Sequence, residues 1–289
     1  MPLCLFTSDL HGRTDRFEKL CERIAVERPA AVFLGGDLLP SGTLLFARSQ
    51  RQAVPDDFVR DFLARRLQRL REQLGSGYPR VFAILGNDDP RHEEPAMREV
   101  AAAGLWDYVH GARADFAGRR VYGYACVPPT PFRLKDWERY DVSRYVDPGC
   151  LSPEEGRRTV EADEHEVRYG TIQEDLARLA GDDDLAGAIL LFHSPPYQTS
   201  LDRAALDGKL VDGVPLDVHV GSIAIRRFVE DRQPLVTLHG HVHESTRLTG
   251  AWRERLGRTW MFQGAHDRQE LAVVRFDPDY PDEAERLLV

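Results

Sequence analysis

Five short apolar runs each break off into a cluster of Asp, Asn or His, and this recurrence constrains the chain more than any other feature. Leu3-Cys4-Leu5-Phe6-Thr7 leads into Ser8-Asp9-Leu10-His11-Gly12. Ala31-Val32-Phe33-Leu34 ends in Gly35-Gly36-Asp37, and Val81-Phe82-Ala83-Ile84-Leu85 runs into Gly86-Asn87-Asp88-Asp89. Ala188–Phe192 stops at His193-Ser194-Pro195-Pro196, and Leu235–Leu238 at His239-Gly240-His241-Val242-His243. Such runs, bounded by glycine and polar residues, read as strands buried on both faces. In open α/β sheets, ligands gather beyond the carboxyl ends of the strands. Five converging ends would therefore bring four His, two Asp and one Asn to one place.

Helical periodicity fills the intervals. Phe17, Leu20, Cys21 and Ile24 recur within 13–28, and Phe58, Phe62, Leu63, Leu67, Leu70 and Leu74 within 57–74. Both spacings predict a helix with one buried face, and Arg60, Arg65, Arg66, Arg69 and Arg71 read as the solvated face of the second. Further helices are expected near Ile172–Leu179 and Ile223–Glu230, and further strands at Val121–Cys126, Thr259–Phe262 and Leu271–Arg275. Pro128-Pro129-Thr130-Pro131 interrupts regular structure. No linker, repeat or low-complexity tract divides the chain, which predicts one α/β domain over 1–289.

At 42% hydrophobic and 29% charged, the 289 residues fall in the ordinary globular range, which excludes a mostly disordered or collagen-like chain. No apolar run approaches the ~18 residues of a membrane span. The N-terminal residues lack a basic leader and an Ala-x-Ala site, and Cys4, Cys21, Cys126 and Cys150 lack CxxC spacing. Both features predict a cytoplasmic protein with reduced thiols. The net charge is −9, and residues 141–184 carry thirteen Asp and Glu against five Arg. That acidic insertion holds nearly all the imbalance. The remainder offers no extended basic face for nucleic acid.

Each cluster alone has a plain alternative. Asp9 could cap a helix, and Asp37 could be a turn residue. Gly240-His241-Val242-His243 is more specific, because alternate residues of an extended segment point the same way. Together the clusters form a donor set suited to Mn, Fe, Co or Zn rather than Ca or Mg.

Asp9-x-His11, Gly36-Asp37, Gly86-Asn87-Asp88, His193 and Gly240-His241-x-His243, in this order, resemble the calcineurin-like metallophosphoesterase family. The resemblance covers residues 9 to 243. It implies a four-layer αββα sandwich of two mixed sheets with a dinuclear metal site at one edge. It also implies that Asp9, His11, His243 and Asp37 hold one divalent ion, and that Asp37, as bridge, holds the second with Asn87, His193 and His241. Mn is favoured, with Fe, Zn, Co or Ni as alternatives. Two such ions clamp a bridging hydroxide and a phosphoryl oxygen together, so in-line hydrolysis of a phosphoester follows.

The sequence departs from the family at one position. Many members read Gly-Asn-His-Asp/Glu at the third motif, and that His serves as general acid or binds phosphate. Asp88 stands there instead, and nearby cations keep a carboxyl deprotonated. General-acid assistance is typically worth ~10²–10⁴-fold, so its loss predicts a bias toward leaving groups that need little protonation. His219 is a candidate replacement, read otherwise as a loop residue beside a helix cap. His239 is expected in a strand behind the site, and His266 either lines the cleft or stays outside it.

Arg13 would reach a phosphate oxygen or pair with a carboxylate. Pro128–Trp137, with Phe132, Arg133, Lys135 and Trp137, reads as a substrate wall or as packing of a long insertion. Gly36-Asp37-Leu38-Leu39-Pro40-Ser41-Gly42 lacks the Asp-Arg pair of the protein phosphatase branch. These features predict a phosphodiesterase acting on a small or nucleotide-like substrate. The alternatives are a phosphomonoesterase of the same family and a low-turnover, metal-binding regulatory module.

Overall fold

All five apolar runs are strands in a computed structural model of the chain, which describes residues 2–40, 55 and 57–289. Ser41 and Gly42 of the second motif lie outside the described residues. In chain order the strands are β1 (Cys4–Thr7), β2 (Ala31–Gly35), β3 (Arg80–Ile84), β4 (Asp107–Tyr108), β5 (Ala112–Phe116), β6 (Arg119–Tyr124) and β7 (Ile189–Phe192). They continue with β8 (Leu210–Val211), β9 (Val214–Pro215), β10 (Val236–His239), β11 (Arg253–Leu256), β12 (Thr259–Gln263), β13 (Ala272–Asp277) and β14 (Tyr280–Leu288).

Two six-stranded mixed sheets result, in the orders β14-β13-β1-β2-β3-β4 and β11-β12-β10-β7-β6-β5, beside a small β8-β9 hairpin. In the first sheet β1, β2, β3 and β4 run parallel, and β13 lies antiparallel to β1. In the second, β6, β7, β10 and β12 run parallel. The sheets pack face to face through aromatic rings. Phe116 of the second sheet reaches Phe82 of the first at 5.8 Å, where Phe82 stacks on its strand neighbour Phe33 at 5.1 Å, and Phe262 meets Phe276 at 5.6 Å.

Helices Thr14–Glu27, Arg65–Leu74 and Glu94–Ala102 connect successive parallel strands of the first sheet. Right-handed crossovers place them together on its outer face. Ile172–Ala180 and Ile223–Arg232 do the same for the second sheet, which gives the αββα order. Strands covered on both faces must be apolar throughout, and β1, β2, β7 and β10 are buried at every position.

The elements absent from the sequence reading are mostly edges. β5 alternates exposed and partly buried residues, and β14 is rich in Asp, Glu and Arg. Charged edge strands resist pairing with another chain, and the same charge removes the apolar signal. The helix over 57–74 begins as a π-helical stretch, Val59–Ala64, before continuing as α-helix. Arg60, Arg65 and Arg69 lie on its exposed face, with Arg66 and Arg71 half-buried.

The excursion between β6 and β7 begins well before Asp141, and three contacts tie it to the rest of the molecule. Trp137, fully buried, donates its indole N–H to the Asp89 carbonyl at 2.9 Å. Asp136 accepts the Arg91 N–H at 2.8 Å. Asp141 accepts the Ile223 and Ala224 N–H groups and the Ser222 hydroxyl, so the insertion caps helix 223–232 from outside. Four of its acidic residues pair with arginines. Glu154 pairs with Arg144 and Arg168, Glu166 and Asp175 with Arg139, and Asp183 with Arg113 and Arg120.

Candidate metal centre

The loops after β1 and β2 run side by side and extend the strand pairing. Asp9 N–H donates to Gly36 O, His11 N–H to Asp37 O and Gly12 N–H to Leu38 O, all at 2.8–2.9 Å. Four candidate ligands occupy the left-handed backbone region that non-glycine residues seldom adopt: Asp9 (φ 59°), His11 (49°), Asp37 (50°) and His241 (70°). Such residues cost on the order of 1–3 kcal/mol each and persist only where surroundings over-determine them. Here the cross-loop ladder does so, together with the buried Arg16, which donates to the Asp9 carbonyl at 2.7 Å.

Close packing at glycine completes the loops. A Cβ on Gly86 would lie 2.4 Å from Asp37 Oδ1 and 2.6 Å from His193 Cε1. A Cβ on Gly240 would lie 2.5 Å from Asp9 Oδ2.

The ligand atoms fall into two groups that share Asp37. One atom each from Asp9, His11, Asp37 and His243 lies within 4.8 Å of the others. His11 Nε2 faces His243 Nε2 at 3.1 Å, and His243 Nε2 meets Asp9 Oδ1 at 3.0 Å. In the second group, His193 Nε2 lies 3.0 Å from Asn87 Oδ1 and 3.3 Å from Asp37 Oδ2. The His241 ring centroid is 5.3 Å from that of His193.

This donor chemistry fits a pair of cations. The Gly35 carbonyl, which can only accept, lies 2.8 Å from His193 Nδ1, so that nitrogen carries the proton. In the neutral ring Nε2 then presents a lone pair, and it faces only other acceptors, Asn87 Oδ1 and Asp37 Oδ2. An imidazole oriented through its second nitrogen is the usual arrangement of a metal ligand. Likewise His243 Nε2 faces both His11 Nε2 and Asp9 Oδ1 and can carry one proton at most for the two.

The electrostatics point the same way. Burial would raise the Asp9 pKa, but the hydrogen-bonded His243 and the nearby His193 and His11 hold it well below the usual carboxylate range. Asp37 is lowered similarly, against burial, chiefly by His193. Burial opposes charge on His11 and His193 as well. The Asp88 and Asp37 carboxylates overcome it at His11, and Asp37 does so at His193, which pushes both to about 9. His241 is pushed down to about 3 by burial, with His193 adding to the effect. The pocket attracts positive charge.

The remaining expected residues are placed differently. The Arg13 guanidinium pairs with Asp15 at 2.8 Å. His219 Nδ1 meets the buried Asp202 at 2.7 Å, and its ring lies near Tyr197. Its excursion meets the His241–His243 segment through the Ala205 N–H on Glu244 and through Gln263, which bridges the Leu201 and Gly240 carbonyls. His239 lies in β10 with both ring nitrogens engaged, by Ser194 O and Thr237 Oγ1. His266 faces Glu270 of its own loop. Phe132 and Arg133 are exposed, whereas Lys135 and Trp137 are fully buried and so pack the insertion rather than wall a substrate.

Asp89 was not singled out in the sequence. Buried, it accepts N–H groups from Leu38, Leu39 and Gly86 and thereby locks the second motif to the third. An acidic residue following a glycine turn is its only sequence signal.

No curated protein matches the chain in sequence. Solved structures share its fold at low identity. One matches with TM-score 0.62 and 17% identity over 100% of this chain and 99% of its own. TT1561 of Thermus thermophilus matches with TM-score 0.58 and 17% identity, over 99% and 98%. A dimetal phosphatase from Danio rerio matches with TM-score 0.52 and 13% identity, over 100% and 98%. The family model for calcineurin-like phosphoesterases matches residues 3–245, spanning all five strand-end clusters. The chain belongs to the calcineurin-like phosphoesterase family, hydrolases built around a dinuclear divalent metal centre.

Proposed function

We propose that the protein is a metal-dependent phosphodiesterase acting on a small or nucleotide-like substrate, with residues 1–289 working as one domain in the cytoplasm. The observation that carries the reading is the pair of donor groups sharing Asp37. Asp9, His11, Asp37 and His243 would hold one divalent ion, and Asp37, Asn87, His193 and His241 the other, with Mn favoured. Bound there, the ions supply Lewis acidity that acidifies a water and neutralises phosphoryl charge. The single-domain reading draws support from the strands beyond residue 245, since β12 pairs with β10 and β13 with β1.

The protein's own groups do the rest. Asp37 offers one oxygen to the Asp88 N–H at 2.8 Å and turns the other toward His193, so its carboxylate is held in place for both groups. Asn87, besides helping to hold an ion, would orient a phosphoryl oxygen. The exposed Phe132 and Arg133 supply an aromatic face and a cation on the insertion, which docks on residues 89–92 through Trp137, Asp136 and Thr159. Arg13 contributes if the substrate displaces Asp15. His219, backed by Asp202, is the candidate proton donor to the leaving oxygen. Without an imidazole at the Asp88 position the leaving group must depart with little protonation, which favours aryl esters or pyrophosphates.

Hydrolysis of bis-p-nitrophenyl phosphate beside p-nitrophenyl phosphate, with Mn added and then chelated, tests the reading. Chelator-sensitive diester turnover that Asp37→Asn abolishes is expected. A monoester preference would replace diesterase by monoesterase. Mn binding without turnover of either compound would favour the regulatory module. His219→Ala should flatten the acidic limb of the pH–rate profile; an unchanged profile discards His219 as the acid.

A further inference from the structure

Asp88 replaces the imidazole of the third motif, and its surroundings give it a different task. Its carboxylate Oδ2 lies 3.4 Å from His11 Nδ1. That nitrogen is buried and makes no well-aligned hydrogen bond among the described residues, and the Asp88 carboxylate is the acceptor within reach of its N–H. The opposite nitrogen, His11 Nε2, faces His243 Nε2 at 3.1 Å inside the donor cluster. Asp88 also donates its own N–H to Asp37 Oδ1 at 2.8 Å. One residue therefore touches two candidate ligands, from the side away from the cluster. We infer that Asp88 is a positioning residue that holds the His11 ring by accepting its Nδ1–H, keeping Nε2 directed at a divalent ion.

The inference rests on the metal reading of the site and deepens it. A carboxylate behind a ligating imidazole fixes its tautomer and orientation and raises its basicity, and removing such a partner typically weakens metal affinity ~10–100-fold. A proton donor to the leaving group has the opposite requirement. It must be protonated and must face the substrate, whereas this carboxylate faces an imidazole N–H. The side chain is about one-third exposed (34%), so its replacement leaves the core untouched.

The test is a Mn titration of the full-length protein, followed by electron paramagnetic resonance and without substrate. Asp88→Ala should weaken one of two Mn sites ~10–100-fold. Asp88→Asn, which keeps an oxygen acceptor, should stay within about threefold of the parent. In imidazole ¹H–¹⁵N spectra of the Zn-loaded, diamagnetic protein, the His11 Nδ1–H resonance should broaden or shift in Asp88→Ala alone. On an aryl and an alkyl diester, Asp88→Ala should lose the same factor in rate, recovered at high Mn.

Unchanged Mn affinity in Asp88→Ala would overturn the inference. So would a rate loss that grows with leaving-group basicity and resists added Mn, because that pattern belongs to a general acid. Absence of Mn binding by the parent would overturn both the inference and the metal reading. An Asp88-dependent Mn site in a protein that turns over neither diester would leave the inference standing while the proposed activity fails.

Discussion

The strand-end loops and the insertion between β6 and β7 solve the same problem, an irregular backbone among buried groups, in opposite ways. The loops tolerate left-handed Asp and His residues and leave lone pairs facing one another, which is unfavourable until a cation arrives. The insertion instead pairs its buried charges internally. Lys135 and Glu138, both fully buried, meet at 2.5 Å, and Thr130 donates both its N–H and its hydroxyl to the Glu138 carboxylate. Trp137 and Asp141 then fasten this satisfied unit to the sandwich. Four candidate ligands carry left-handed backbone, whereas the insertion has no such non-glycine residue among the described residues and closes its buried charges with its own hydrogen bonds.

The largest expected effect would come from separating the insertion. Trp137→Ala removes a fully buried indole and its bond to Asp89, and should lower stability by ~3–5 kcal/mol in denaturant unfolding. Its Mn affinity should stay within a few-fold of the parent. An equal collapse of Mn affinity would show that loops and insertion are one unit.

Lys135→Met strands a buried carboxylate and should cost a comparable ~3–5 kcal/mol, while Lys135→Met combined with Glu138→Leu should recover most of it. No recovery in the double variant would mean that the pair does more than balance its own charges. At the site, Gly86→Ala drives a methyl group onto Asp37 and His193. A displacement approaching ~1 Å in such a constellation is worth ~10²-fold, so Mn-dependent diester turnover should fall by about that factor. Parent-like turnover would show the loops to be pliant.

The smallest effect concerns pH. His110 accepts the Ala125 N–H on Nδ1, and its ring meets Trp137 edge-on at 4.8 Å. Burial pushes its pKa down from 6.5 to about 4, with Arg91, Arg98 and Arg139 adding to the effect and Glu94 opposing it. The unfolded chain thus takes up a proton before the folded one as pH falls. Stability from the neutral ring is fully present above pH 6.5 and is lost progressively toward about pH 4. Thermal unfolding between these values should show the decline in the parent and a shallower one in His110→Gln. Parallel curves would remove His110 as its source.

Legibility followed burial. β1, β2, β3, β7 and β10 were readable because strands covered on both faces cannot hide their apolar content, and the donor residues were readable because they sit where those runs stop. Edges β5, β11 and β14 escaped because exposed edges carry charge. For Trp137 and Lys135 the sequence leaves a substrate wall and packing of a long insertion both open, because aromatic and basic residues beside prolines look alike in a buried staple and an exposed rim; their burial decides for packing. Asp88 illustrates the same boundary: sequence shows which imidazole is missing, and only distances show that the replacement faces His11.

What the sequence determined by itself was the five core strands and the Asp, Asn and His residues at their ends, because burial and donor chemistry are both written in residue type. The tertiary structure decided how closely the Asp37 carboxylate approaches His193, that His219 pairs with Asp202, and what the insertion holds. Those are matters of a few ångströms between residues far apart in the chain, such as His11 and His243 or Trp137 and Asp89, and no local pattern encodes them.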